Sequence, residues 1–226
     1  MTLRFLLALR MLFLLAGTSP PGRPAVLGVV VEAYRAHLGG SAVSPGATVY
    51  EGDHFSTEEG GSLRLRCNAA LLELAEKSAA LVRHAGDGAQ GLEAEAELVH
   101  GTLVFSTAHA SELEIEARQA RIRPAGKGRT VAQVSIIGPK ELHIYARRGA
   151  LLFSYRGESK TINEGESYEV ILDPSEDGSE KKQTTPSARR PPRAFLLVAV
   201  GAGAAAAAVI VHENHGHKGM ESPDRP

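Results

Sequence analysis

The chain lacks tryptophan and contains a single cysteine, Cys67, among its 226 residues. One cysteine excludes an intramolecular disulfide framework and a cysteine zinc cluster. Aromatic residues make up only 5% of the chain whereas glycine contributes 24 residues, so the core must consist of small and aliphatic side chains joined by many tight turns. Because Cys67 alternates with polar residues in line with Leu63 and Leu65, we predict a small core residue and no reactive thiol.

Neither sign of charge is in excess, since 25 Lys and Arg face 26 Asp and Glu and the formal net charge is −1. A domain that follows nucleic-acid phosphates carries a clear basic excess, so we predict no nucleic-acid partner. The sequence also lacks the nucleophile-elbow, P-loop, paired-histidine zinc and EF-hand motifs. We therefore predict no catalytic residues, no cofactor and no enzymatic activity.

Residues 28–174 alternate apolar and polar side chains in short runs that glycine or proline separates. Clear examples are residues 62–67, 92–98 and 112–117. Strict alternation places one set of side chains on each face of a strand, which predicts an all-β domain of short stacked strands, solenoid-like or sandwich-like. Residues 69–82 are rich in strong helix formers, but their neighbours alternate, so we predict a strand, a turn and a strand there.

Two of these runs carry glutamate at alternate positions. The first contains Glu93, Glu95 and Glu97, and the second contains Glu112, Glu114 and Glu116. Such rows of carboxylates on one strand face are suited to a divalent cation or a cationic partner. We favour a solvated, solubilising face, because rows of like charge also discourage edge-to-edge association of sheets.

Apolar runs at both ends of the chain indicate a membrane. Residues 1–27 combine a short basic start, an apolar stretch and a small-residue exit, which is typical of a signal peptide, although Arg10 inside the stretch leaves an uncleaved signal anchor open. Residues 194–211 contain no charge, and a helix of that length spans roughly 27 Å, just under a hydrocarbon core of about 30 Å. We predict a C-terminal transmembrane helix there, in contact with membrane lipid, preceded by a disordered linker over 175–193.

The cues on membrane orientation conflict. Five cations precede residues 194–211 and two follow them, which places the linker in the cytoplasm, whereas an N-terminal signal exports the domain. We give the signal more weight and predict a single-pass inner-membrane protein with its β domain in the periplasm. Small residues within the apolar run are of the kind that let two helices approach closely, so a homodimer stays an alternative.

Three histidines, His212, His215 and His217, lie in the predicted polar tail over 212–226. Their spacing would allow two or three imidazoles to ligate a borderline metal. The simpler interpretation is that they are incidental residues of a polar tail. We therefore predict no metal site.

Several short motifs follow one another in the order of the FecR-like domain of bacterial envelope regulators, which the chain resembles over residues 28–172. They include Val49-Tyr-Glu-Gly52, Phe55-Ser-Thr57, Lys77-Ser78, Gly101-Thr-Leu-Val-Phe105 and Asn163-Glu-Gly165-Glu166. The chain departs from that family at Val134-Ser-Ile-Ile-Gly138, where a valine-arginine-glycine-threonine step is usual. It departs again at Arg66-Cys-Asn68, where an Asp-Gly turn is usual.

The resemblance implies an all-β domain on the outer side of an inner membrane that receives a signal. Well-known members hold a sigma factor with a cytoplasmic N-terminal segment, but only residues 1–4 precede the first apolar run here, so we do not expect sigma-factor control. The predicted function is a membrane-tethered, non-catalytic binding or signal-sensing module of the bacterial envelope, with an envelope protein or polysaccharide as partner. The alternative is an envelope hydrolase or sugar-modifying enzyme whose carboxylates converge only in the fold.

Overall fold

The computed structural model describes residues 25–84, 94–109, 113–174 and 194–200, and within these ranges the chain forms fifteen β-strands and no helix. The strands are β1 (Val26–Leu38), β2 (Ser41–Ala42), β3 (Thr48–Tyr50), β4 (His54–Cys67), β5 (Ala70–Leu74), β6 (Ala79–His84), β7 (Ala94–Thr107), β8 (Leu113–Ala117), β9 (Ala120–Pro124), β10 (Thr130–Gly138), β11 (Glu141–Arg148), β12 (Leu151–Tyr155), β13 (Glu158–Ile162), β14 (Ser167–Leu172) and β15 (Phe195–Ala199). Paired strands are antiparallel except β7 and β8, which are parallel. The all-β prediction is confirmed for the described residues.

The strands form two layers that share three long strands. The first layer runs β1, β4, β5, β7, β10, β11, β14 and β15, and the second runs β1, β4, β6, β7, β8, β9, β12 and β13. β5 pairs with the C-terminal halves of β4 and β7, whereas β6 pairs with their N-terminal halves. Each long strand therefore passes from one layer to the other, so the two layers of this sandwich are parts of one continuous sheet.

The long strands bend where the backbone has a positive φ. β1 bends at Arg35 (φ 46°), β4 at Gly60 (φ 68°) and β7 at Gly101 (φ 82°). A Cβ on the neighbouring Gly61 would come within 2.6 Å of the carbonyl oxygen of Arg35, and a Cβ on Gly101 would come within 2.6 Å of that of Lys77. The crossing strands are thus so close that a side chain fits at neither glycine.

A buried serine between β5 and β6 joins the bent strands by hydrogen bonds. Ser78 is fully buried, its N–H donates to Thr57 Oγ1 of β4 at 3.0 Å, and its Oγ accepts from the N–H of Thr102 in β7 at 2.9 Å. A buried polar group left without a partner costs about 1–3 kcal/mol, so this network fixes where β4 and β7 change layers. We call Thr57, Ser78, Gly101 and Thr102 the strand crossing.

One continuous core fills the space between the layers. The rings of Phe153 in β12 and Phe195 in β15 meet edge to face with centroids 4.9 Å apart, which joins the two layers on the side away from β7. Cys67 is fully buried, as predicted, and burial raises the pKa of its thiol to about 11. The thiol therefore stays protonated at neutral pH.

Residues 69–82 are rich in strong helix formers but were predicted to form two strands, and the structure confirms that prediction. These residues form β5, then a turn, then β6. Both strands lie between β4 and β7, where burial and cross-strand packing outweigh the helix propensity of alanine and leucine.

The predicted transmembrane helix over 194–211 is wrong for its first part. Phe195–Ala199 form the edge strand β15, which pairs antiparallel with β14, and Leu197 is buried in the core with 5% exposure. A short apolar run has the same hydropathy in a buried strand as in a helix, so hydropathy did not separate the two.

The other predictions for the chain ends fall outside the described residues. These are residues 1–24 of the signal segment predicted over 1–27, the linker over 175–193, the remainder of the apolar run over 201–211 and the polar tail over 212–226. The end of that signal segment was placed too far along the chain, because Val26 and Leu27 lie in β1 and Leu27 is buried in the core. In the ranges that are described, no helix has the length and apolar character needed to cross a membrane.

Replacement of Gly101 by alanine tests the strand crossing. The added Cβ would collide with Lys77 and Ser78 while φ stays at 82°, so we expect G101A to lower the free energy of unfolding by about 3 kcal/mol through overpacking and backbone strain. Gly157→Ala is the matched control, because Gly157 has φ 84° and no atom within 4 Å of a Cβ, and about 1 kcal/mol is expected there. Equal losses in urea unfolding would contradict the close approach.

Candidate functional site

A cleft of about 370 Å³ opens at one end of the sandwich, between the two layers. Its rim consists of Arg118 and Gln119 in the β8–β9 turn, Lys140 in the β10–β11 turn, Arg156 in the β12–β13 turn, and Asp173 just after β14. β7 lines the cleft immediately before its bend, so the strand crossing positions it. We call this site the end cleft.

The rim of the end cleft contains residues in an unfavourable backbone conformation. Of the seven described non-glycine residues with positive φ, four line the cleft: Arg118, Gln119, Arg156 and Asp173. The first two fill both central positions of a two-residue hairpin turn, where Asn-Gly is favoured because it tolerates positive φ. Each longer side chain costs about 1–2 kcal/mol there. Such strain is typical of functional sites.

In one wall of the end cleft, a hydrogen bond and an ion pair join the two layers. Tyr155 Oη donates to Asp173 Oδ2 at 3.0 Å, and Arg156 Nη1 lies 2.6 Å from Asp173 Oδ1. The Arg156 guanidinium also lies 5.4 Å from the centroid of the Tyr155 ring. Burial, followed by the hydrogen bond and charge of Asp173, raises the pKa of Tyr155. The Tyr155 hydroxyl therefore stays protonated at neutral pH and continues to donate its hydrogen bond to the Asp173 carboxylate.

Two further cations at the rim have no ion-pair partner among the described residues. Arg118 follows β8 in the second layer, and Lys140 follows β10 in the first. Both side chains are exposed and both line the end cleft. They differ in this respect from Arg156, whose charge is paired with Asp173. Arg118 and Lys140 therefore present their charges to solvent at the rim.

The wall formed by β7 and β8 contains the glutamates. Because these strands are parallel neighbours, Glu95 faces Glu114 and Glu97 faces Glu116. Arginines of the flanking strands pair with three of them, namely Arg83 with Glu97 (2.6 Å) and Glu95 (3.8 Å), and Arg121 with Glu114 (3.6 Å). The carboxylates predicted to lie in rows are thus brought together, in register, by the parallel pair.

Glu116 is the fourth carboxyl of this wall and has no arginine at ion-pair distance among the described residues. Burial raises its pKa, and so do the charge of Glu95, a hydrogen bond with Glu95 and the charge of Glu97. Glu97 and Glu116 both line the end cleft. The cleft therefore has a carboxyl paired with Arg83 beside a carboxyl that holds its proton more strongly than usual.

The structure modifies the interpretation of the glutamate rows as a solvated face. Glu114 is buried with 9% exposure and pairs with the exposed Arg121, so this face is a partly buried ion-pair network and not a row of free carboxylates. No group of three His, Cys, Asp or Glu within 25–84, 94–109, 113–174 and 194–200 is placed to hold a metal ion. Five residues singled out in the sequence lie outside those ranges: Glu93, Glu112, His212, His215 and His217.

Sequence reasoning missed the cationic rim. Arg118, Lys140 and Arg156 belong to three separate turns, and no local pattern shows that these turns meet at one end of a sandwich. One usable signal was the pair Arg118-Gln119 between two alternating runs, since a two-residue turn without asparagine or glycine is unusual.

Replacement of Glu116 by glutamine tests whether burial and the neighbouring carboxylates raise the pKa of Glu116. Because the pKa of Glu116 is raised in the folded chain, the folded state binds its proton more tightly and stability falls as pH rises through that pKa. E116Q should melt at a higher temperature than the wild type above neutral pH, and the difference should vanish in acid. Glu114→Gln is the control, because it removes the pair with Arg121 at 3.6 Å and should bring no gain. A gain that persists in acid would contradict the explanation.

Comparisons with known proteins give two distant structural matches. No protein-family model and no curated protein matches the chain. Two crystal structures of a provisionally assigned anti-sigma factor from Parabacteroides distasonis ATCC 8503, at 1.65 and 2.50 Å resolution, are similar to it, each with a TM-score of 0.42 and 13% sequence identity. The similarity covers 52% of this chain and 54% of that chain, so the chain spans about half the length of the structures that it matches.

Proposed function

We propose that the chain is a non-catalytic binding and signal-sensing module of the bacterial envelope. The observation that carries the proposal is the end cleft, where Arg118 and Lys140 stand unpaired among the described residues, on turns of opposite layers. A concave site with a few convergent polar groups is the usual form of a ligand site. The motifs of residues 28–172 that resemble the FecR-like domain agree with a role in receiving a signal.

The carboxyls of the end cleft favour binding over hydrolysis. A glycoside hydrolase needs two carboxyls about 5–10 Å apart with the scissile bond between them. Here Arg83 holds Glu97 at 2.6 Å, and Arg156 holds Asp173 at 2.6 Å. Two of the three carboxyls that line the cleft therefore have protein partners, whereas Arg118 and Lys140 have none among the described residues.

One observation favours a second candidate, an envelope hydrolase or sugar-modifying enzyme. The raised pKa of Glu116 beside the Glu97 carboxylate resembles the pairing of a protonated and an ionised carboxyl in acid–base catalysts. Release of reducing ends from envelope polysaccharides by the purified chain, with loss of that activity in Glu116→Gln, would favour this candidate over the binding module.

The proposed location is the periplasmic side of the inner membrane. Its support is the basic start and apolar stretch that precede β1, which are typical of a signal peptide or signal anchor. Because Phe195–Ala199 belong to the sheet, the proposed tether is the N-terminal apolar run, retained as an anchor. The proposed partner is an envelope protein or polysaccharide that reaches the end cleft from the periplasm.

Cysteine labelling tests this location. Ser41 is exposed, whereas Cys67 is fully buried, so Ser41→Cys adds one accessible thiol to a wild-type background that should stay unlabelled. A membrane-impermeant maleimide should label S41C in intact spheroplasts of the native host, and the labelled chain should stay with membranes after a high-salt wash. Labelling that requires lysis would place the domain in the cytoplasm and contradict the proposal.

A chromosomal double variant tests the sensing role. If the end cleft receives the signal, Arg118→Gln combined with Lys140→Gln should reproduce the transcript changes caused by deleting the gene, while the protein accumulates to its usual level. Lys127→Gln is the matched control, because Lys127 is exposed on a turn that does not line the cleft, and it should behave as wild type. A wild-type transcript profile in the double variant would refute sensing through this cleft.

A further inference from the structure

We propose that the end cleft binds the carboxylate groups of an acidic sugar chain, held by Arg118 and Lys140. This inference rests on the proposed function, because it specifies the ligand of the same cleft. Three observations support it: the two cations that no described residue pairs, the backbone of the β8–β9 turn, and the hydrogen-bond acceptors beside the two cations.

Ion pairs occupy two of the three carboxyls and one of the three cations that line the end cleft. Arg156 pairs with Asp173 at 2.6 Å, and Arg83 of β6 pairs with Glu97 at 2.6 Å. The third carboxyl is Glu116, whose pKa is raised by burial and by the neighbouring carboxylates. The two cations without a partner among the described residues both lie at the rim.

Arg118 and Lys140 remain as the positive charges of the cleft that no described residue pairs. The arginine fork can bind a carboxylate through two parallel hydrogen bonds, and the lysine ammonium adds a mobile point charge. Because the two residues belong to different layers, a carboxylate held by both would connect the layers where the sandwich is open. These two cations at the rim favour an anionic group as the ligand.

The backbone of the β8–β9 turn supports a ligand contact by Arg118. Arg118 has φ 52° and Gln119 has φ 67°, positions that glycine occupies without strain. The β12–β13 turn does use glycine, with Gly157 at φ 84°. At the rim the chain instead holds two long polar side chains in the strained positions, and both line the end cleft. The turn itself does not require long side chains at these two positions, whereas a ligand contact would explain them.

The acceptors around the cations favour a hydroxylated ligand with one negative charge per unit. Glu97, Asp173 and the amide oxygen of Gln119 line the same cleft. The two carboxylates keep acceptor lone pairs beside their arginine partners, so all three groups can accept hydrogen bonds from hydroxyl groups. Because three carboxyls line the cleft beside its three cations, a ligand of high negative charge density such as a phosphate dianion is disfavoured. A uronic acid unit has one carboxylate and several hydroxyls, whereas an acidic peptide lacks the hydroxyls. The volume of about 370 Å³ suits a short stretch of such a chain.

Calorimetric titration of the full-length chain with matched probes tests the assignment. Trigalacturonate is the acidic sugar, its methyl ester is the same sugar without charge, and triglutamate and inorganic phosphate carry charge without the sugar. We expect trigalacturonate to bind best. Arg118→Gln and Lys140→Gln should each weaken that binding by about tenfold or more, the loss expected for a charge-assisted hydrogen bond. Lys127→Gln should leave the affinity unchanged, because Lys127 does not line the cleft.

A second variant at the rim separates loss of the ligand from loss of the fold. Arg118→Gly removes the cation and also relieves the positive φ of 52°, so it should be at least as stable as wild type in thermal melting while binding trigalacturonate as weakly as R118Q. An R118G chain that keeps wild-type affinity would overturn the role given to the arginine.

The remaining outcomes separate this inference from the function on which it rests. Equal affinity for the methyl ester would overturn the role of the cations, and equal affinity for triglutamate or phosphate would overturn the sugar assignment. Absence of trigalacturonate binding would overturn the inference as a whole. If the double variant still reproduces the deletion transcripts in that case, only the ligand class is wrong. If it does not, the end cleft is not the sensing site.

Discussion

The close approach of Gly101 to Ser78 is the contact on which the sandwich depends. Because Gly101 has no Cβ, β7 passes from the second layer to the first directly beside the β5–β6 turn, and the serine there bonds to Thr57 at 3.0 Å and to Thr102 at 2.9 Å. The two layers and their single core follow from this passage. The end cleft follows as well, since β7 lines it just before the bend. The turns that form the rim of the end cleft lie away from this contact, and they contain the charged residues Arg118, Lys140 and Arg156.

Most strands could be predicted from alternation, because the layers enclose one core and each strand directs every second side chain into it. Residues 62–67 lie in β4 and residues 113–117 form β8. The strand prediction for residues 69–82 was also right against their helix propensity, since the neighbouring strands supply the packing. The pairing was not predictable. Whether β5 or β6 meets a given half of β7 depends on bends at Gly60 and Gly101, which alternation does not report.

Neither the edge strand β15 nor the end cleft could be predicted from the sequence, for different reasons. Phe195–Ala199 resemble the start of a membrane helix because hydropathy measures apolar character and not the surface that covers it. In the sheet, that surface is supplied by β14 and by Phe153. The end cleft was hidden because its cations come from turns far apart in the sequence. The glutamate rows were visible, but their ion pairs with Arg83 and Arg121 depend on the parallel pairing of β7 and β8.

Native-state hydrogen exchange at the strand crossing tests the central claim most directly. The amide protons of Ser78 and Thr102 donate to side-chain oxygens inside the crossing, so they can exchange only when β4 and β7 separate. If the crossing holds the layers together, both amides should exchange only through global unfolding, with the same free energy as the amide of the buried Val134 in β10. Exchange of Ser78 and Thr102 through local opening, at a clearly lower free energy than Val134, would contradict the account.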